Sequence, residues 1–263
     1  MRERTGSMLL MRTIAKAAMA VWATIVLPQA ATAQAETPVS IELVFAVDTS
    51  YSVDAFEFNL QMAGIADAFR NPEIIDLIGQ QDGVAVTLFQ WSSGEIDERH
   101  MIPWHLLIDP ATVLSFAAKV ARVERSPTRQ FTGIGRAIEF GVRLIDENAF
   151  AGRQLKIDIS GDGIDNIGSW RLKSRQRARA LSVVINGLPI LNVTNATVDL
   201  EEYYRDEVIS GPGAFVEIAN DFDDFGRAFL RKLRREITPS ISHDDRAPRG
   251  LIQLAHTRRM NGH

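Results

Sequence analysis

Residues 41–47, Ile-Glu-Leu-Val-Phe-Ala-Val, form a nearly continuous apolar run rather than an alternation of apolar and polar positions. A strand of that kind has both faces covered, and doubly covered sheets are mostly parallel, with helices above and below. The rest of the chain fits that frame. A helical stripe of Phe56, Leu60 and Ala63 predicts a helix from Asp54 to Phe69, ended by Asn71-Pro72. Strands are expected over Gly83–Trp91 and Leu155–Ser160, with a short partner strand at Arg99–Trp104. Helices are expected from Asp109-Pro110 to about Val123, from Gly133 to Ile145 and near Trp170–Ala180. The strand Leu181–Ile185 should turn out at Asn186-Gly187, and Ala214–Ile218 should be the last strand. The helix Asp221–Ile237 buries Phe222, Phe225, Phe229 and Leu233. Its acids stand at the start and its bases at the end, matching the helix dipole. Strands alternating with helices predict an α/β domain with a mostly parallel central sheet and helices on both faces, over residues 41–237.

The two ends read differently. Residues 1–33 carry a basic start (Arg2, Arg4, Arg12, Lys16), the apolar or small run 17–27 and a small-residue end at Ala31-Thr32-Ala33. This is the layout of a secretory signal peptide, and eleven apolar residues are too few to cross a bilayer. Residues 34–40 form a polar lead, and residues 238–263 lose apolar periodicity and are expected to be a mobile tail. The chain has a net charge of −4; the leader holds four bases and one acid, so the remainder would stand at −7. An acidic, exported chain is a poor nucleic-acid binder and has no span for an integral membrane protein. Cysteine is absent, so no disulfides hold it in a periplasmic or secreted setting.

In such sheets ligands gather at the carboxyl ends of the strands. Three groups of oxygen donors are expected there: Asp48-x-Ser50-x-Ser52, Thr132 ahead of its helix, and Asp162 within Ser160-Gly161-Asp162-Gly163. No histidine or cysteine stands beside them, and such hard donors suit magnesium, calcium or manganese rather than zinc. Taken singly, each has a plainer account: Ser50, Ser52, Asp54 and Thr132 as helix caps, Asp162 as a turn acid.

Asp48-x-Ser50-x-Ser52, the lone threonine before a helix and the later Asp-Gly after an apolar strand resemble the metal-ion-dependent adhesion site of von Willebrand factor type A (vWA) domains. More narrowly, VFAVDTSYSVDAFEF, the GDG with Asn166, INGLPI (185–190) and YYRDEVISGPGAFV (203–216) resemble a bacterial exported vWA-like family of unknown function. The resemblance implies a Rossmann-like fold. It also implies a divalent cation, magnesium first, held through the hydroxyls of Ser50, Ser52 and Thr132, with Asp48 and Asp162 holding ion-bound waters or ligating directly. It implies capture of a protein partner that offers an acidic residue to the ion. Tyr51 departs from the pattern, which most often has a small residue there. Either it carries a steric penalty for positive φ, or it lines the rim of the site.

The competing functions are a metal-assisted hydrolase of a phosphate or ester, and an ion that only stabilises the fold. An aspartyl-phosphate enzyme would carry an acid where Ser50 stands, and Ser52 lacks both a G-x-S-x-G setting and a nearby histidine. The expectation is therefore that the chain is not an enzyme. Gly133-Ile134-Gly135 begins like a dinucleotide fingerprint, but a glycine needed for close packing explains it better. Arg171, Arg175 and Arg179 share a helical face, expected to be solvated or, failing that, to receive an acidic partner. Asn192 and Asn195 match the glycosylation acceptor pattern.

Overall fold

The computed structural model describes residues 35–93, 96–127, 131–168, 170–191 and 198–238. The leader, Asn192, Asn195 and the tail beyond residue 238 lie outside them. A five-stranded sheet runs through the domain: β1 (Thr37–Asp48), β2 (Val84–Trp91), β3 (Ile102–Leu107), β4 (Phe150–Gly161) and β5 (Val183–Pro189), in the order β3-β2-β1-β4-β5. All neighbours are parallel except β2 and β3.

The apolar run of β1 is explained by its two faces. Ile41, Leu43, Phe45 and Val47 pack with α1 (Ala55–Arg70), α2 (Pro72–Gly79), α3 (Pro110–Val120) and α7 (Phe225–Ile237). Val44 and Ala46 face the other way, onto α4 (Ile134–Asp146) and α5 (Trp170–Ala180), with α6 (Leu200–Tyr203) and its continuation through Val208 beside them. Strand β1 thus pairs with β2 on one side and β4 on the other, while helices leave to opposite faces. This is the topological switch point where doubly wound sheets bind ligands. Val47 pairs with Ser160, which brings Asp48 level with Gly161.

Several boundaries differ from the sequence reading. Strand β1 begins at Thr37, inside the expected polar lead, because its first residues pair with Phe150–Gly152. Helix α2 was not anticipated: Asn71 ends α1 and also caps α2, its side chain accepting from Glu73 N at 2.9 Å. Strand β3 lies a few residues later than expected, after a short 3-10 turn over Glu98–His100. Helix α7 starts at Phe225, and α6 with the π-helical turn after it was not foreseen. Asn186-Gly187 is not a turn, because β5 continues through it to Pro189. There Asn186 donates to Glu236 Oε1 at 2.7 Å and accepts from Phe215 N at 3.2 Å, partners supplied from far along the chain. Residues 214–218 make one isolated bridge, Val216 with Gly187, rather than a strand.

The arginine face of α5 is largely engaged within the chain: Arg171 and Arg175 are half-buried, and only Arg179 at its end is exposed. Arg171 holds Glu207 and the Tyr203 hydroxyl, Arg175 donates to the Asp206 carbonyl and Arg179 to Ser210 Oγ. It seats the segment 203–210 against the domain.

Candidate metal centre

The three groups predicted from sequence meet at the switch point. Asp48, Ser50, Thr132 and Asp162 are buried, while Ser52 is exposed at the mouth of the site. Ser50 N donates to Asp48 Oδ1 at 2.7 Å, folding the loop back over the strand end. Ser50 and Ser52 hydroxyls stand 3.3 Å apart, and Ser52 Oγ donates to Asp162 Oδ1 at 2.7 Å. The loop that follows β1 is therefore joined directly to the one that follows β4. Thr49 Oγ1 anchors the first loop to the Trp91 carbonyl at 3.1 Å.

Thr132 is brought in by a clasp. Its N–H donates to Asn166 Oδ1 at 2.9 Å, and Asn166 N donates to the Thr132 carbonyl at 3.0 Å. A Cβ built on Gly163 would lie 3.5 Å from Thr132 Oγ1, so the hydroxyl faces the Gly-Asp-Gly loop. Asp165 accepts from Gly135 N at 2.8 Å, capping a helix whose N-cap, Gly133, has no side chain to do so. Gly133 itself must be glycine: a Cβ there would sit 2.7 Å from both the Ser92 carbonyl and Ile167. Close packing, not a dinucleotide, explains that Gly-x-Gly.

Whether these residues suit a cation turns on Asp48. Its carboxylate is fully buried and Oδ2 has no hydrogen-bond partner. A Cβ on Gly161 would meet that oxygen at 2.8 Å, so the neighbouring backbone closes it in from one side. Burial first, and then the Asp162 charge, push the Asp48 carboxyl up to about 8, against the pull of the Ser50 hydrogen bonds. Burial and the neighbouring Asp162 charge penalise an unpaired charge on Asp48, and a bound cation would relieve that penalty, so the two carboxyls and three hydroxyls fit a hard divalent ion. Asp48, Ser50, Ser52, Thr132 and Asp162 would hold it, and the ion would supply an electrophilic centre open to a carboxylate. Among the described residues no group of three or more His, Cys, Asp or Glu side chains is placed to hold a metal; this set has two carboxylates, and its other donors are hydroxyls.

A pH dependence follows for the chelated protein. A folded carboxyl at about 8 against 3.8 unfolded means that the native state holds the extra proton between those values. Stability should thus fall as pH rises through that window, by about 1.4 kcal/mol per pH unit from this group alone. Urea unfolding in chelator from pH 5 to 8 checks it, and Asp48→Asn should flatten the slope.

Two features of the site were not legible in the sequence. Tyr204 is fully buried and its hydroxyl donates to the Gly161 carbonyl at 3.2 Å, bracing the loop from below. Its phenol is pushed well above the ordinary value by burial, with Asp48 and Asp162 adding to the effect. The YYRDEV stretch marks the position of Tyr204, but its approach to the site depends on the fold of segment 200–210. Tyr51 shows no backbone strain: Ser182 is the one non-glycine residue with positive φ among those described. Its side chain is 77% exposed beside the mouth, the rim placement of the two alternatives.

Among solved structures, the chain is similar in fold to the pilus adhesin SpaC from Lactobacillus rhamnosus GG in its open conformation. The identity is 13% and the TM-score 0.55, covering 78% of this chain and 31% of that one. It is also similar to proximal thread matrix protein 1 from the mussel byssus, solved with a zinc-occupied MIDAS motif. There the identity is 15% and the TM-score 0.50, over 75% of this chain and 48% of that one. The chain thus spans about a third to a half of these proteins, and at such identities the likeness is one of fold: a vWA-like α/β domain. No curated protein matches it. The family described as "Protein of unknown function (DUF1194)" matches residues 38–241.

Proposed function

The chain belongs to that family of unknown function, and we propose that it is an exported vWA-like binding module, not an enzyme, which captures a protein partner through a divalent cation. The observation that carries this reading is the closed set of oxygens at the switch point: Ser52 donating to Asp162 across two loops, with the buried Asp48 Oδ2 beside them. Magnesium is the expected ion, with calcium and manganese as the other hard candidates. Thr132, Ser50 and Ser52 bring no charge, so an ion held by them keeps its attraction for an incoming carboxylate. The exposed Ser52 and Tyr51 mark the side from which that carboxylate comes. The adhesin role of SpaC and the metal-occupied motif of the byssus protein support a binding role. Export rests on the leader-like residues 1–33. Among the described residues no helix is long and apolar enough to cross a membrane.

The test is retention of exported proteins of the same cell on the immobilised chain, with and without magnesium. The expected partner is held only with the ion and released by chelator. It is not held by Thr132→Ala, and it loses binding when one of its surface acids is neutralised. Retention that is unchanged in chelator and in Thr132→Ala overturns the reading.

A further inference from the structure

A second site lies at the other end of the sheet. A cavity of about 1240 Å³ opens against the amino-terminal halves of β4 and β5, roofed by the end of α7 and by residues 211–215. Its wall carries six cations: Arg153, Lys156, Arg179, Arg231, Arg234 and Arg235. Glu236, also on the wall, is already engaged by Lys232 and Asn186.

Three of the cations are neutralised by acids outside the cavity: Arg153 by Asp82, Arg231 by Glu217 and Arg234 by Glu73. The other three make no ion pair with a carboxylate among the described residues. Lys156 donates to the Glu236 backbone carbonyl, Arg179 Nε donates to Ser210 Oγ at 2.8 Å, and the Arg235 guanidinium lies 3.7 Å over the Phe215 ring. Stacking leaves the guanidinium edge free to donate, which preorganises Arg235 for a planar or tetrahedral oxyanion. Burial holds the Lys156 ammonium below its usual range, so a nearby anion would stabilise its charged form.

We propose that this cavity binds a multivalent phosphate, with Lys156, Arg179 and Arg235 as its direct contacts. Several cations around one concavity match several negative charges on one ligand, and guanidinium forks suit phosphate oxygens. The site is independent of the metal centre. Lys156 lies five positions before Gly161 on β4, roughly 16 Å along the strand at the usual rise. The same phosphate chemistry is offered by a free polyphosphate and by the headgroups of an anionic membrane.

Two arms separate these sources, each on the full chain with and without Arg179→Glu/Arg235→Glu. One titrates inorganic tripolyphosphate by calorimetry; the other measures cosedimentation with vesicles of equal parts phosphatidylglycerol and phosphatidylcholine. The wild type should bind tripolyphosphate saturably, and the double reversal should weaken it about a hundredfold, as expected for two lost charge-assisted contacts. Vesicle binding without tripolyphosphate binding, abolished by the same reversals, upholds the site and assigns it to headgroups. No binding in either arm, or binding that the reversals leave unchanged, overturns the proposal. Circular dichroism and melting of the double variant confirm that its fold is intact. Chelator should change neither arm, so failure here and failure of the cation-dependent capture are separately visible.

Discussion

Lys232→Met should lower the unfolding free energy by about 3–5 kcal/mol, the usual cost of removing one partner from a buried ion pair. Lys232 is fully buried on α7, its ammonium 2.8 Å from Asp158 Oδ1 on β4 and 2.5 Å from Glu236 Oε1 one turn along the helix. Both carboxylates are buried as well, so truncating the lysine strands two negative charges rather than one. The cost should depend on pH. Burial already raises the Asp158 carboxyl, with Glu236 adding to it and Lys232 opposing it. Without Lys232 it rises further, and a raised folded value means stability lost as pH rises through it. Denaturant melts should therefore show the variant closest to wild type near pH 5 and furthest near pH 8. Adding Asp158→Leu to the variant should recover part of the loss, because an apolar replacement removes a stranded charge. A variant as stable as wild type at pH 8 would mean that the network contributes nothing.

The second large effect belongs to the cation. Magnesium at a hundred times its dissociation constant should stabilise the chelated protein by about 2.7 kcal/mol. In a domain of this size that is a melting shift of about 5–10 °C. Asp162→Ala should abolish the shift, because it removes a carboxylate and the acceptor that holds Ser52 at the mouth. Running calcium and manganese beside magnesium orders the ions, and a smaller response to calcium than to the other two would mark a site that enforces tight octahedral geometry. A shift that survives in the Asp162 variant would place the bound ion elsewhere, and no shift with any ion would leave the vWA-like fold without its adhesion chemistry.

The sequence alone determined the features that depend on local pattern. The nearly continuous apolar run of β1 required a doubly covered sheet, and the stripe of Phe225, Phe229 and Leu233 required α7. The donors Asp48, Ser50, Ser52, Thr132 and Asp162 were placed at strand ends and helix starts because those ends are set by where apolar periodicity stops. What local pattern could not carry was decided by contacts distant in the chain. The alternation of Lys156 and Asp158 with Leu155, Ile157 and Ile159 gives no sign that both polar residues face the basic end of α7, some seventy-five positions later. Asn186-Gly187 has the composition of a turn, yet Glu236 and Phe215 supply the hydrogen bonds that hold it in a strand. The arginine face of α5 follows the rule for a solvated surface until segment 203–210 folds onto it. Tyr204 reaches Gly161 by the same fold. In each case a buried polar group must find a partner, and only the tertiary structure decides which one lies within reach.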